Sequence, residues 1–181
     1  KIDKNRRLSI QRNHTSTHLL KFALKKTLGN HVEQRGSMLT EDIFRFDFSH
    51  QSKLSDKELS DAEKLVKSLI KDEIQCIEEK QANYNDAVKA GAIGLFSEKY
   101  GDVVRTIKFG ESYELCGGTH VKNTKEIEDF KIISEGSQAF GIRRIVATSN
   151  KTRIKEEELK NQAIKEKAES EKANKILQKE I

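Results

Sequence analysis

At 181 residues the chain is long enough for one domain with a real core, or one domain and an appendage, and too short for a second full domain. Apolar residues make up 35% of it and charged residues another 35%, and no apolar run approaches the roughly 20 residues that cross a bilayer, which excludes a membrane-spanning helix. The formal net charge of +5 is unevenly spread: residues 1–35 hold nine Lys or Arg against Asp3 and Glu33, and the remainder is close to neutral.

The opening stretch, Lys1 to Gln11, is polar and leads into no hydrophobic segment of the signal-peptide kind. Two cysteines, Cys76 and Cys116, are too few for a disulfide framework, so a reducing, cytoplasmic setting or its organellar counterpart is expected. The sequence starts at Lys1 without Met, which fits a fragment of something longer. A basic segment draws polyanions, nucleic acid foremost, although a charge run taken alone is more often a solvated helix face.

Residues 13–28 read as a helix, with Asn13 as N-cap, an apolar face of Leu19, Leu20, Phe22, Ala23, Leu24 and Leu28, and Gly29-Asn30 as the stop. Residues 32–39 and 43–48 read as an antiparallel hairpin around Thr40-Glu41-Asp42, because Phe44, Phe46 and Phe48 alternate with Arg45 and Asp47. Gly36 inside the first strand suits a bulge or a close backbone approach. Ser55-x-x-Glu58 is a capping box, and Leu59, Ala62, Leu65, Val66, Leu69 and Ile70 follow at helical spacing, which predicts a helix over 56–72. A short strand at 74–80 and a helix at 85–90 precede strands at 103–109, 113–116, 130–134 and 142–148, divided by Gly101, Gly110, Gly117-Gly118 and Gly136. The pattern is α+β, an antiparallel or mixed sheet packed with helices. From Lys151 the composition turns to Lys, Glu, Ala, Gln and Ile without glycine, which predicts an extended, exposed C-terminal helix. It would suit the start of a coiled coil, although its apolar spacing sets no register. The boundary accordingly separates a folded domain, 1–150, from a charged helical linker, 151–181.

Two ligand spacings carry the chemistry. His14-x-x-x-His18 puts two imidazoles on one helix face, and Cys116-Gly-Gly-Thr-His120 adds a thiolate and a third imidazole. Each is weak alone. Together they supply the four ligands of a tetrahedral Zn2+ in a chain with only two cysteines and five histidines, so a zinc-binding cleft is expected where the first helix meets the glycine turn. His31 and His50 stand in no ligand spacing and read as surface or strand-capping residues. Cys76, among Ile74 and Ile77, reads as a small buried hydrophobe.

Six blocks in order, Arg12-Asn-His-Thr-Ser-Thr-His-Leu-Leu20, Gln34-Arg-Gly-Ser37, Arg45-Phe-Asp-Phe-Ser-His50, Gly91-Ala-Ile-Gly-Leu-Phe-Ser-Glu-Lys-Tyr-Gly-Asp102, Glu114-Leu-Cys-Gly-Gly-Thr-His-Val121 and Gly141-Ile-Arg-Arg-Ile145, closely resemble the editing domain of alanyl-tRNA synthetase. The resemblance runs from about residue 4 to residue 148. Thr119, where the related threonyl-tRNA synthetase editing domain usually has proline, favours the alanyl branch, and Ser97 stands where glycine is common. The resemblance implies an aminoacyl-tRNA ester hydrolase that removes serine or glycine from the acceptor end of mischarged tRNA(Ala), sparing alanyl-tRNA(Ala), beside the remaining domains of a synthetase. Because the aminoacylation half is absent from the chain, it implies hydrolysis and not ligation. A freestanding trans-editing deacylase is the alternative, and a non-catalytic zinc-stabilised tRNA-binding module is the rival of another class.

A pocket that hydrogen-bonds the serine hydroxyl leaves its polar groups unpaired when alanine enters, which can discriminate by roughly 10⁴. Thr15 and Thr17, beside the helix ligands, and Gln34, which the resemblance sets by the site, are the expected hydroxyl partners; for either threonine a back-bond to the preceding turn competes. Gly117 and Gly118 offer backbone N–H groups to the ester oxygen, or simply let the chain turn between ligands. Three histidines and a thiolate saturate a tetrahedral ion. Either one ligand loosens or zinc organises the pocket while water is activated otherwise, and the second is preferred. Arg12, Lys21, Lys25 and Arg35 are expected to meet tRNA phosphates without reading sequence, by contacts that weaken in salt. Arg143 and Arg144 point to opposite faces of a strand, so at most one looks at the site, and Arg143 is assigned that role.

Overall fold

The computed structural model describes residues 2–95 and 99–177; Ser97 lies outside them. The first helix, α1 (Lys4–Leu28), begins well before the predicted start at Asn13. Asp3 is the N-cap, its carboxylate accepting from the N–H groups of Asn5 and Arg6. The polar opening turns carry no apolar stripe, so periodicity does not reveal them. Asn13 instead lies mid-helix and fully buried, reaching out of it: Nδ2 donates to Thr40 O (2.9 Å), and Oδ1 accepts from Ser149 N (3.0 Å) and Oγ (2.8 Å). One amide thus fastens α1 to two later turns of the chain. Gly29, at φ +115°, closes the helix with its N–H on Lys25 O, where the sequence places the stop.

The chain continues through β1 (Gln34–Leu39), β2 (Phe44–Ser49), α2 (Asp56–Lys71), β3 (Ile77–Asn83), α3 (Tyr84–Lys89), β4 (Val103–Phe109), β5 (Ser112–Leu115), a 3-10 turn at Thr124–Ile127, β6 (Lys131–Ala139), β7 (Ile142–Thr148) and α4 (Lys151–Leu177). The architecture is α+β, but the described strands form two antiparallel sheets where a single one was expected: β1-β2-β7-β6 and β3-β4-β5. Strand periodicity reports which face is buried and not which strand is the neighbour, so the division follows only from β2 pairing with β7. Phe44, Phe46 and Phe48 are fully buried and join Leu19, Leu20, Leu24, Val66, Ile107 and Phe130 in one core. Burial of each such side chain is worth roughly 1.5–3 kcal/mol, which makes this alternating strand a principal anchor of α1 on the sheet. The bulge expected at Gly36 is present: the β1–β2 register shifts between Gln34 and Gly36, and an added Cβ would meet Asp47 Oδ2 at 3.2 Å.

Helix α2 carries the predicted capping box, buries Ala62, Val66 and Ile70, and packs against α1. Helix α4 is tied down at its start, where Asn150 Oδ1 accepts from Thr152 N (3.0 Å), Lys151 pairs with Glu128, and Ile154 and Glu157 are buried. Residues 158–172 are exposed throughout. No helix among the described residues is long and apolar enough to cross a membrane.

His31 and His50 find each other. His31 Nε2 and His50 Nδ1 lie 2.8 Å apart with their rings stacked, clasping the approach to β1 against the end of β2. A hydrogen bond between two imidazoles needs one neutral acceptor nitrogen. Burial first, then the charge of His31 and more weakly Arg143, lowers the pKa of His50 from the ordinary 6.5, against the pull of Glu58 and Glu135. A histidine kept neutral by the fold contributes stability that is complete above the unfolded value and is lost as pH falls below it. The expected NMR titration midpoint of His50 is therefore below 6.5, and His31→Ala moves it upward; a midpoint at or above 6.5 in the intact chain contradicts the pairing.

Candidate metal centre

Helix α1 presents His14 and His18 one turn apart, and the loop after β5 swings Cys116 and His120 against them. The four ligand atoms lie within 4.8 Å of one another. Cys116 Sγ is 3.6 Å from His14 Nε2 and 3.3 Å from His120 Nε2. Zinc bonds of about 2.3 Å to sulfur and about 2.0–2.1 Å to nitrogen set a tetrahedral S···N edge of about 3.6 Å, so the donor types and these two S···N distances fit such an ion.

The outer nitrogens confirm which edge of each ring faces inward. His14 Nδ1 donates to Thr119 O (3.2 Å), and His120 Nδ1 meets Thr15 Oγ1 (3.0 Å), which leaves both Nε2 atoms directed at the thiol. Burial pushes all three imidazoles toward the neutral, ligating form. It lowers His14 against the opposing bond to Thr119, lowers His18 well below the usual range with help from the charge of His14, and lowers His120 with help from His18 and His14.

The glycine turn is held from behind by a residue that sequence reasoning missed. Arg105, on β4, donates through Nη1 to Cys116 O (2.8 Å) and Gly118 O (2.6 Å), while its Nε pairs with Glu78 (2.7 Å). Nothing in the sequence singles out this arginine, because only the β4–β5 pairing brings it to the turn. Glu114 was missed as well. It is buried beside Lys21 (2.8 Å), and burial raises its carboxyl while Lys21 opposes the rise. No local signal marks it: Tyr113 and Leu115 flank it at the alternate positions of the strand, and its burial comes from packing against α1.

The structure gives most of the remaining predicted residues a defined set of partners. Thr15 is fully buried, and its hydroxyl meets His120 Nδ1 (3.0 Å) and accepts from the N–H of Val121 (3.2 Å), so it braces His120. Thr17 donates back to Asn13 O (2.9 Å), the helix back-bond that competed with a functional role. Lys21 is 4% exposed and its ammonium is paired with Glu114. Arg12 is held by Glu126 O (2.6 Å) and Glu128, and Arg143 by Glu135 (2.5 Å), so neither guanidinium is left to open solvent. Arg144 pairs with Asp47 on the other face. Lys25 and Arg35 remain accessible, Arg35 beside Glu33 (3.0 Å). Cys76 is half-buried against the core and opens onto a cleft of about 430 Å3 shared with Arg105, His120 and Lys122.

A smaller cavity of about 140 Å3 gathers Lys21, Lys25 and Gln34 with Ile93, Gly94 and Leu95. Lys21 connects this cavity to the histidine cluster through Glu114, whose second oxygen faces His18 Nδ1 at 3.7 Å. Gln34 donates to Ser37 Oγ (3.2 Å) from the β1 bulge. Gly118 passes so close to His14 that an added Cβ would lie 2.1 Å from the ring, whereas one on Gly117 would meet open space. Among the described residues, neither glycine N–H donates a backbone hydrogen bond.

Comparison with known proteins places the sequence among relatives of one family. The family described as the threonyl and alanyl tRNA synthetase second additional domain matches residues 104–146, the stretch from β4 to β7 that contains Cys116 and His120. The alanine–tRNA ligase of Flavobacterium psychrophilum is 52% identical over 147 residues, covering 81% of this chain and 17% of the relative. That of Thermotoga maritima is 53% identical over 150 residues, 82% of this chain and 17% of the relative, and that of Wolbachia pipientis is 49% identical over 153 residues, 84% and 17%. The chain thus spans about a sixth of the length of these curated relatives. Motifs in order, a histidine–cysteine cluster closed by the fold, and half-identity across four fifths of the sequence identify a protein related to the editing domain of alanyl-tRNA synthetase.

Proposed function

We propose that the chain hydrolyses the ester of seryl- or glycyl-tRNA(Ala) and spares alanyl-tRNA(Ala), with residues 1–150 as the deacylase and 151–181 as a helical linker toward other parts of a synthetase. The observation that carries this reading is the convergence of His14, His18, Cys116 and His120 in a chain about half identical to alanine–tRNA ligases. These four residues would hold Zn2+, which supplies Lewis-acid charge and fixes the shape of the pocket.

The remaining roles fall to the chain's own groups. Gln34 lines a cavity small enough to suit a short side chain, and its amide offers both a donor and an acceptor to the serine hydroxyl. Alanine leaves that amide unpaired, a difference worth a discrimination of roughly 10⁴ in sites of this kind. Lys25 and Arg35 are the accessible cations beside Gln34 for phosphates of the acceptor end. Water adds to the ester carbonyl, the N–H groups of Gly117 and Gly118 stabilise the developing oxyanion, and the ribose oxygen leaves with a proton as the free amino acid departs.

The test is a deacylation assay on seryl- and alanyl-tRNA(Ala). The seryl ester is expected to disappear while the alanyl ester persists, and Gln34→Ala is expected to narrow the ratio of the two rates by roughly 10- to 100-fold. Equal stability of both esters removes the hydrolase reading and leaves a tRNA-binding module.

A further inference from the structure

The ion pair between Lys21 and Glu114 is unusual for its burial, with side chains only 4% and 9% exposed and Nζ 2.8 Å from Oε2. Two charges withdrawn from water are costly, and apolar residues of similar size are often as stable or more so, so folding alone gives weak grounds for the pair. Its second oxygen points to another role. Glu114 Oε1 faces His18 Nδ1 at 3.7 Å, and among the described residues that buried nitrogen has no hydrogen-bond partner. The other two imidazoles of the cluster are already served, His14 by Thr119 O and His120 by the hydroxyl of Thr15. An imidazole that gives one nitrogen to a metal carries its proton on the other and needs an acceptor there. His18 is the ring still lacking one, and Glu114 is the carboxylate beside it.

We propose that Glu114 is the positioning residue for His18, accepting its Nδ1–H and fixing the ring for ligation, and that Lys21 holds the carboxylate in place. The assignment rests on the metal-binding part of the function proposed above. Backbone geometry supports it from two sides. Lys21 stands one turn beyond His18 on α1, on the same face, and Glu114 sits in the middle of β5 opposite Ile107, so neither partner is on a mobile end. The pair therefore ties helix and strand together at the point where the two halves of the ligand set meet.

The experiment measures zinc affinity of the full chain by competition with a chromophoric chelator, together with the visible spectrum of the Co2+-loaded protein. The double variant Lys21→Met/Glu114→Leu keeps volume and leaves no unpaired charge, so it is expected to fold with a melting temperature near or above that of the parent. It is also expected to bind zinc roughly 10- to 100-fold more weakly and to give an altered Co2+ spectrum. Glu114→Asp, which keeps the charge beside Lys21 but withdraws the carboxylate by one methylene, is expected to weaken zinc binding in the same direction. Unchanged affinity and spectrum in both variants overturn the assignment and leave the pair a folding element. A parent chain that takes up no zinc overturns the metal reading itself, a separate and recognisable result.

Discussion

Cys116→Ala is expected to yield a folded chain that neither retains zinc nor deacylates seryl-tRNA(Ala). Cys116 would be the sole anionic donor of the set, and its Sγ lies 3.6 and 3.3 Å from two of the three imidazole nitrogens. Without it three neutral imidazoles remain, each already disfavoured from taking a proton by burial, and the ion loses both charge neutralisation and its fourth bond. Changes to outer-shell partners alone cost about 10- to 100-fold in affinity or activity, so removal of a ligand is expected to cost more than about 100-fold in each. The fold survives for identifiable reasons. Cys116 lies only half-buried at the margin of the core, and its backbone remains held by the carbonyl of Arg105 on one side and the guanidinium on the other. Metal analysis, far-ultraviolet circular dichroism and the deacylation assay together check this. Parental deacylation by the alanine variant would show that the reaction does not pass through this cluster.

Gly118→Ala is expected to damage the same site by steric means, while Gly117→Ala is expected to leave it nearly intact. A Cβ on residue 118 would stand 2.1 Å from His14 Cε1 and 2.6 Å from its Nδ1, far inside van der Waals contact. The side chain of His14 can move aside, and moving aside takes Nε2 away from Cys116 and breaks the bond from Nδ1 to Thr119 O. A three-ligand site results, with zinc affinity expected to fall by about 100-fold or more. Residue 117 has nothing within 4 Å of the added carbon, and neither glycine needs a positive φ. The contrast between adjacent glycines separates close approach from turn flexibility. Equal zinc affinity for the two variants would mean that the ring of His14 is not a ligand.

The same close approach explains why the turn reads Cys-Gly-Gly-Thr-His. Gly118 makes room for His14, the carbonyl of Thr119 orients that ring, and His120 completes the donors. Thr15 supplies the matching contact from the helix side, accepting from Val121 N and meeting His120 Nδ1. Helix and turn therefore brace each other's histidines, which accounts for a buried threonine between the two histidines of α1.

Short-range features of the chain could be read directly from residue order. Helix α2 has its capping box and apolar stripe in adjacent residues, the Phe44–Phe46–Phe48 alternation defines a buried strand face, and i to i+4 spacing sets two histidines on one side of a helix. These depend on local backbone geometry, which a few neighbouring residues are enough to specify. The start of α1 at Asp3 escaped because its first turns bury too little apolar surface to show a period. The split into two sheets, the clamp of Arg105 on the ligand turn, and the burial of Lys21 against Glu114 were beyond reach for a different reason. Each depends on contacts between segments distant in the chain, and a lysine on a basic helix looks the same in sequence whether it will meet water, phosphate or a carboxylate from a strand 93 residues away. Packing α1 against β5 settles which of these it meets, because only then is the solvent on that face replaced by protein.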